Sequence, residues 1–332
     1  MRKKSASPRR RSGNARARST ARAKRSRAKG ARRTLRLETI LVPIDFSPAS
    51  LYAIEWAKFI ARRTRALIHF VNVHNFGYPV ASGLTPPLIG SEAEIKDQLH
   101  GDLQKVALSQ KIPEAAFHVR AGHPVEQICE VASEIQADLI VLSTHGRTGW
   151  ERTFLGSTAE KILRHSPCPV FVARERRTRR KAELQLKKIV VPVDFSECAA
   201  CGLEYAVGLA RAFRARLALV NVIQLHHDLP PVVIYSHSKM NRWAREVAEA
   251  HMADLVQATN FGAVKFETAI KLGSPAQRVC RWASKAAADL IVTSTHGRTG
   301  LPHIFIGSVA EHMVRYAKLP VLVVPVHENR LL

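Results

Sequence analysis

Two aspartates that follow apolar runs, and two glycine-bracketed loops, are the residues of this chain whose types and spacing suit chemistry. Asp45 ends Ile40-Leu41-Val42-Pro43-Ile44-Asp45, and Asp194 ends Ile189-Val190-Val191-Pro192-Val193-Asp194. Further along, Ser143-Thr144-His145-Gly146 is followed, after nine residues, by Gly156-Ser157-Thr158-Ala159-Glu160. Ser294-Thr295-His296-Gly297 is followed at the same spacing by Gly307-Ser308-Val309-Ala310-Glu311. Glycine has no Cβ, so main-chain N–H groups at such points can reach an anion. Ser157 and Ser308 read as helix N-caps with Glu160 and Glu311 as their reciprocal partners, and a helix start offers unpaired N–H groups and a positive dipole end to phosphate.

Each of these residues also has a purely structural reading. The aspartates, or Ser47 and Ser196 just after them, cap a helix. Arg147 and Arg298 either clamp phosphate or point into solvent. His145 and His296 have no nucleophile or orienting carboxylate beside them in sequence, so they read as loop-packing or ligand-lining residues. There is no G-x4-G-K-[ST] loop, GxSxG elbow or HExxH helix, so no catalytic constellation is visible. The chemistry on offer is the holding of a polyphosphate.

The elements that must position these residues are written twice. At an offset of 149, Ile40 to Ser47 matches Ile189 to Ser196, and Val71-Asn72-Val73 matches Val220-Asn221-Val222. At an offset of 151, Ala137 to Val141 matches Ala288 to Val292, and Ser143 to Gly149 matches Ser294 to Gly300. A duplicated domain explains this. Within the first copy, Ile40–Ile44, Ala66–Val73, Ala116–Arg120, Leu139–Ser143 and Val170–Ala173 are β-branched runs of strand length, nearly continuous as in strands buried on both faces. Between them Leu51, Ile54 and Ala57 share one helical stripe, as do Ile95, Leu99, Leu103 and Val106, and Ser91 with Glu94 forms a capping box. The alternation predicts an α/β fold of two tandem doubly wound parallel five-stranded sheets, Rossmann-like, each with its own core. Ligands of such sheets bind beyond the carboxyl ends of the strands. Proline at 43 and 192 should end regular pairing there and leave the aspartates at the mouth of the fold.

The charge of +24 over 332 residues suggests a nucleic-acid binder until its location is considered. Residues 1–37 hold 16 Lys and Arg and no acid, and Arg174 to Lys188 adds eight bases against two acids, so the remaining chain carries about +2. The tail, residues 1–36, has almost no apolar side chains to bury; we expect it to be disordered, and its contact with DNA or RNA to be sequence-blind and salt-sensitive. It also lacks the amphipathic helix of a transit peptide. Cys129, Cys168, Cys198, Cys201 and Cys280 are odd in number and predict free thiols in a reducing compartment. Neither an export signal nor a run of 18 apolar residues is visible, so we expect a cytoplasmic protein with no membrane contact. Cys198-x-x-Cys201 has no second pair to complete a zinc site. His226-His227-Asp228 reads as a polar turn.

With these motifs in place, the two copies resemble tandem universal stress protein domains, over residues 37–174 and 187–327, joined by a basic linker at 175–186. ATP-binding members of that family carry G-x2-G-x9-G-[ST] after the fourth strand and an aspartate after the first. The resemblance implies an adenine nucleotide, ATP with or without Mg, at each domain of a stress-response regulatory module. It would set adenine and ribose near Pro43, Asp45 and Val73, with phosphates on Gly146, Gly156, Ser157 and Thr158. The matching set in the second copy is Pro192, Asp194, Val222, Gly297, Gly307, Ser308 and Val309. One departure is shared: Ser143 and Ser294 replace the first glycine of the motif, where a hydroxyl either crowds the sugar or bonds to it. Weak ATP hydrolysis, and a ligand-free scaffold with a polyanion-binding tail, remain as alternatives. The resemblance also implies that the copies pair about a pseudo-twofold axis through Val170-Phe171-Val172 and Val321 to Val324, and allows a dimer of tandems.

Overall fold

A computed structural model describes residues 35–74, 91–143, 156–174, 184–224, 237–295 and 307–325. The first half runs β1 (Thr39–Pro43), α1 (Pro48–Thr64), β2 (Leu67–His74), α2 (Glu92–Ser109), β3 (Ala116–Ala121), α3 (Pro124–Glu134), β4 (Leu139–Ser143), α4 (Ser157–His165) and β5 (Val170–Ala173). The second half repeats it as β6 (Lys188–Pro192), α5 (Glu197–Phe213), β7 (Arg216–Ile223), α6 (His237–Ala258), β8 (Phe266–Leu272), α7 (Pro275–Lys285), β9 (Leu290–Ser294), α8 (Ser308–Tyr316) and β10 (Val321–Val324). Each predicted strand lies within one or two residues of its place, and β1 and β6 end at their prolines.

Within each half the strands are parallel, ordered β3-β2-β1-β4-β5 and β8-β7-β6-β9-β10. The order reverses between β1 and β4, and between β6 and β9, which opens a crevice at their carboxyl ends. The halves join where β5 and β10 pair antiparallel, with Val172 opposite Val321, Phe171 opposite Leu322 and Val170 opposite Val323. The shared edge expected from the sequence is therefore present, and one ten-stranded sheet results. The expectation of a separate core in each half needs correction. Leu37, Val42, Phe171, Leu217, Met252 and Leu322 belong to one cluster, and Leu41, Val71, Val172, Val220, Val314 and Val323 to another. Each cluster lines one face of the continuous sheet and draws on both halves, because successive strand residues point to opposite faces and the strands run on across the junction.

Polar contacts reinforce the junction. Glu160 and Arg164 on α4 bond at 2.7 Å, Glu311 and Arg315 on α8 at 2.9 Å, and the cross pairs approach to 3.8 and 3.9 Å. Arg174, just past β5, donates to the carbonyls of Val314 and Arg315 in the last turn of α8, where a cation complements the helix dipole. On the other face, Phe59 of α1 stacks on Phe213 of α5 at 5.4 Å, and Leu35 packs on α5 at Gly208, where a Cβ would lie 2.7 Å from the Leu35 Cβ. At the amino ends of the strands, the Asp138 carboxylate accepts from Glu38 N and Thr39 N, and Asp289 accepts from Lys187 N and Lys188 N. The repeated aspartate before the fourth strand is thus a clasp on the first strand.

The capping box of Ser91 and Glu94 opens α2 as expected. All five cysteines are free thiols, and burial pushes Cys168 up to about 12 and Cys129 and Cys280 up to about 11. Cys198 and Cys201 sit on α5, and burial raises both. None of the described helices is long and apolar enough to cross a membrane. The tail before Leu35, most of the basic linker and His226-His227-Asp228 lie outside the described residues.

Two predictions follow from packing. The Tyr205 hydroxyl on α5 is buried with no hydrogen-bond partner among the described residues. Tyr205→Phe removes that unpaired group and should stabilise the fold by about 1 kcal/mol, read as a higher thermal midpoint; a lower midpoint would show that the hydroxyl is bonded. At the outer edge of the first half, His69 on β2 and His118 on β3 are 2.9 Å apart with stacked rings. Burial lowers both from the ordinary 6.5, helped at His69 by the charge of His118 and at His118 by that of Arg120. Protonation is therefore resisted in the folded state. The contribution is complete above pH 6.5 and is lost as pH falls below it. Urea midpoints at pH 7.5 and 5 should diverge more for the wild type than for His69→Ala/His118→Ala, which copies Ala218 and Ala269 of the second half.

Candidate functional site

The carboxyl ends of β1 and β6 turn through Asp45-Phe46-Ser47 and Asp194-Phe195-Ser196. In each turn the aspartate Oδ1 accepts from the serine N at 3.0 Å and from the serine Oγ at 2.6 Å. The same serine Oγ then accepts from the backbone of the third helical residue, Ser50 N at 3.2 Å and Ala199 N at 3.1 Å. Ser47 and Ser196 are the N-caps of α1 and α5, and each aspartate orients its cap. Between them Phe46 and Phe195 take φ of 63° and 65°, a left-handed conformation that costs a bulky residue about 1–3 kcal/mol. The recurrence of that conformation in both halves marks the turn as fixed by its surroundings.

One part of those surroundings is a buried asparagine. Asn72 Nδ2 donates to Ile44 O and Asn221 Nδ2 to Val193 O, each at 2.8 Å. Ile44 N and Val193 N donate to Val71 O and Val220 O, which extends the ladder one residue past each proline. These bonds hold the strand exit on the neighbouring strand and so aim the aspartate. A polar residue recurring inside an otherwise apolar run was the signal in the sequence for this role.

In the second half these elements surround a cavity of about 750 Å³. Pro192 lines it from the end of β6, Asp194 and Phe195 from the turn that follows, Val222 from β7, Thr293, Ser294 and Thr295 from the end of β9, and Gly307, Ser308 and Val309 from the start of α8. Seven of the eight residues singled out in this copy are thus brought together; Gly297 lies outside the described residues. Ser294 is buried in the wall, and the space beside it is open. The sequence did not point to Trp243, Val247 and His251 of α6, which line the same cavity. The His251 ring meets Phe195 edge to face at 5.3 Å. A smaller cavity of about 340 Å³, between Lys58, Arg65 and Lys111, has none of the candidate binding residues in its wall.

In the first half Pro43, Asp45, Val73, Ser143, Gly156, Ser157 and Thr158 occupy the corresponding ends of β1, β2 and β4 and the start of α4. Gly146, with His145, Arg147, His296 and Arg298, lies outside the described residues.

Two expectations about the helix starts are overturned. Gly156 and Gly307, not Ser157 and Ser308, are the N-caps, and neither start has a side-chain cap bond. Glu160 and Glu311 bond to Arg164 and Arg315 of the next turn instead of reaching back. The serines have already adopted helical geometry, from which a hydroxyl does not serve as the cap. The Gly307 N–H is also taken, because it donates to Thr295 O at 2.6 Å. The donors that have no partner within α8 are those of Ser308, Val309 and Ala310, and they stand at the cavity wall.

The description "Universal stress protein family" matches this chain twice, over residues 36–174 and 185–325. A universal stress protein of Methanocaldococcus jannaschii is 32% identical over 145 residues, 44% of this chain and 85% of that protein. Universal stress protein E of Salmonella typhi is 35% identical over 146 residues, 40% of this chain and 45% of that protein. Among solved structures, a universal stress protein from Archaeoglobus fulgidus superposes with a TM-score of 0.61 at 20% identity, covering 89% of this chain and 99% of its own, a likeness of fold. With the family pattern matched in both halves and the fold shared along their length, the chain belongs to the universal stress protein family.

Proposed function

We propose that the cavity beyond β6, β7 and β9, and its counterpart in the first half, bind ATP or a related adenine nucleotide, which makes the chain a regulatory module of the stress response. The single observation that carries this reading is the convergence of Asp194, Val222, Ser294 and the start of α8 around one open space of about 750 Å³. That volume falls within the roughly 300–1,000 Å³ typical of small-molecule sites. The wall has two chemistries. Ser308, Val309 and Ala310 supply main-chain donors at a helix start, suited to phosphate oxygens, while Val222, Val279 and Met313 supply apolar surface. Asp194, turned toward the cavity by its bonds to Ser196, accepts hydroxyl hydrogens as a ribose offers them. On this reading, occupancy itself is the output.

ATP should raise the thermal midpoint of the full chain and be recovered from the purified protein by mass spectrometry. Asp194→Asn, which keeps an acceptor for the Ser196 cap, should fold normally and weaken the ATP-dependent shift about tenfold in midpoint concentration, as loss of a charge-assisted bond implies. No shift at millimolar ATP and no recovered nucleotide would reject the reading.

The segregated charge supports a second, independent reading, contact with polyanions through residues 1–34. Fifteen of the 51 Lys and Arg lie there with no acid, and neutralising phosphates releases condensed counterions. Binding to duplex DNA should be indifferent to sequence, fall steeply with salt and vanish on removal of residues 1–34. Persistence in the truncated chain would assign it elsewhere.

A further inference from the structure

We infer that the two nucleotide sites are not equivalent, and that Trp243 makes the second-half cavity selective for a planar heteroaromatic base. The inference rests on the nucleotide reading above and adds which half is loaded and by what contact. Trp243, Val247 and His251 are spaced at i, i+4 and i+8 on α6, so they form one stripe, and all three line the cavity. Ala248 and Met252, one position further on, are buried in the core and fix the rotation of the helix. Trp243 is 61% exposed although it is the largest apolar side chain on that stripe. An indole held at the rim of a cavity, with its face not covered by the protein's own core, is suited to a ring that enters from solvent. Bases stack on aromatic side chains because every base has a π-face.

The placement is bipartite. The α6 helix packs on one face of the sheet, through Met252, and α8 on the other, through Met313 and Val314. The aromatic stripe and the N–H donors of α8 therefore close over the strand ends from opposite sides, and an adenine nucleotide has the same division between apolar ring and anionic tail.

Among the described residues, the second helix of the first half carries no such aromatic stripe. The offset of 149 continues through the second helix, because the bond from Ala115 N to Ile112 O recurs as Val264 N to Phe261 O, and buried Leu99 and Leu103 recur as Ala248 and Met252. In that register Trp243, Val247 and His251 correspond to Glu94, Gln98 and Asp102. Glu94 is committed to the capping box and Asp102 is paired with Lys105 at 2.8 Å. Two carboxylates and an amide replace two rings and a valine. That stripe offers a base nothing to stack on and sets carboxylates where the second half has rings.

The test is titration of the full chain with ATP, adenosine and inorganic tripolyphosphate, read by tryptophan emission and by calorimetry. ATP and adenosine should change the emission and tripolyphosphate should not, the change should be absent from Trp243→Phe, and one ATP should bind per chain before a second, weaker one. Trp243→Ala should lose about tenfold or more in ATP affinity, and Trp243→Phe should stay within about threefold of wild type, since stacking on either ring is worth far more than none. Because Trp243 is exposed, the unliganded thermal midpoint of both variants should match the wild type. ATP binding with an unchanged affinity in Trp243→Ala, or two equal sites, overturns this inference and leaves the nucleotide reading intact. Binding of none of the three probes by the wild type overturns both.

Discussion

The antiparallel pairing of β5 with β10 is the constraint on which the rest of the molecule depends. Each strand has four residues, all buried, and by itself each would be an apolar open edge prone to pair with another chain. Joined, they satisfy each other's main-chain groups and carry side chains alternately into the two face cores. Phe171 and Leu322 point into one core, and Val170, Val172, Val321 and Val323 into the other. The duplicated sequence thereby becomes one sheet. The ion pairs between α4 and α8 are partly exposed and are worth little singly. Their value is geometric, since they and Arg174 register the two helices whose first turns meet the strand ends.

Positioning of the site follows from that rigid sheet. The strand exit is held by an asparagine amide on the neighbouring strand, the turn beyond it is tied by an aspartate to a serine, and the serine caps the helix. Each link uses a polar group that burial would otherwise penalise, so the turn has few alternatives. A left-handed phenylalanine in the middle is tolerated because the bonds on either side over-determine the backbone. Both aspartates therefore serve structure, and Asp194 also lines the cavity of the second half.

The two halves share this machinery and differ in what surrounds it. Strands and turns are nearly superimposable in sequence, whereas the second helices share their buried positions and little else. Selection on a core position is imposed by the sheet beneath it and is the same in both copies. An exposed position is not constrained in that way, so the copies are free to diverge there, as Trp243 and Glu94 do.

The sequence by itself determined the repeat, the alternation of buried strands with helices, the serine caps after β1 and β6, the capping box of α2 and the gathering of candidate residues at the strand ends. Those are local or periodic signals, set by backbone propensity and by which face of an element is apolar. Only the tertiary structure decided that Gly156 and Gly307 cap their helices, because a cap depends on where the incoming chain turns and Thr295 had already claimed the Gly307 N–H. It alone placed Trp243 and His251 at the cavity, since the chain between β7 and α6 carries no periodic signal to orient the helix. It also replaced two independent cores by two shared faces, a property of strands nearly 150 residues apart meeting at one edge, which no local pattern records.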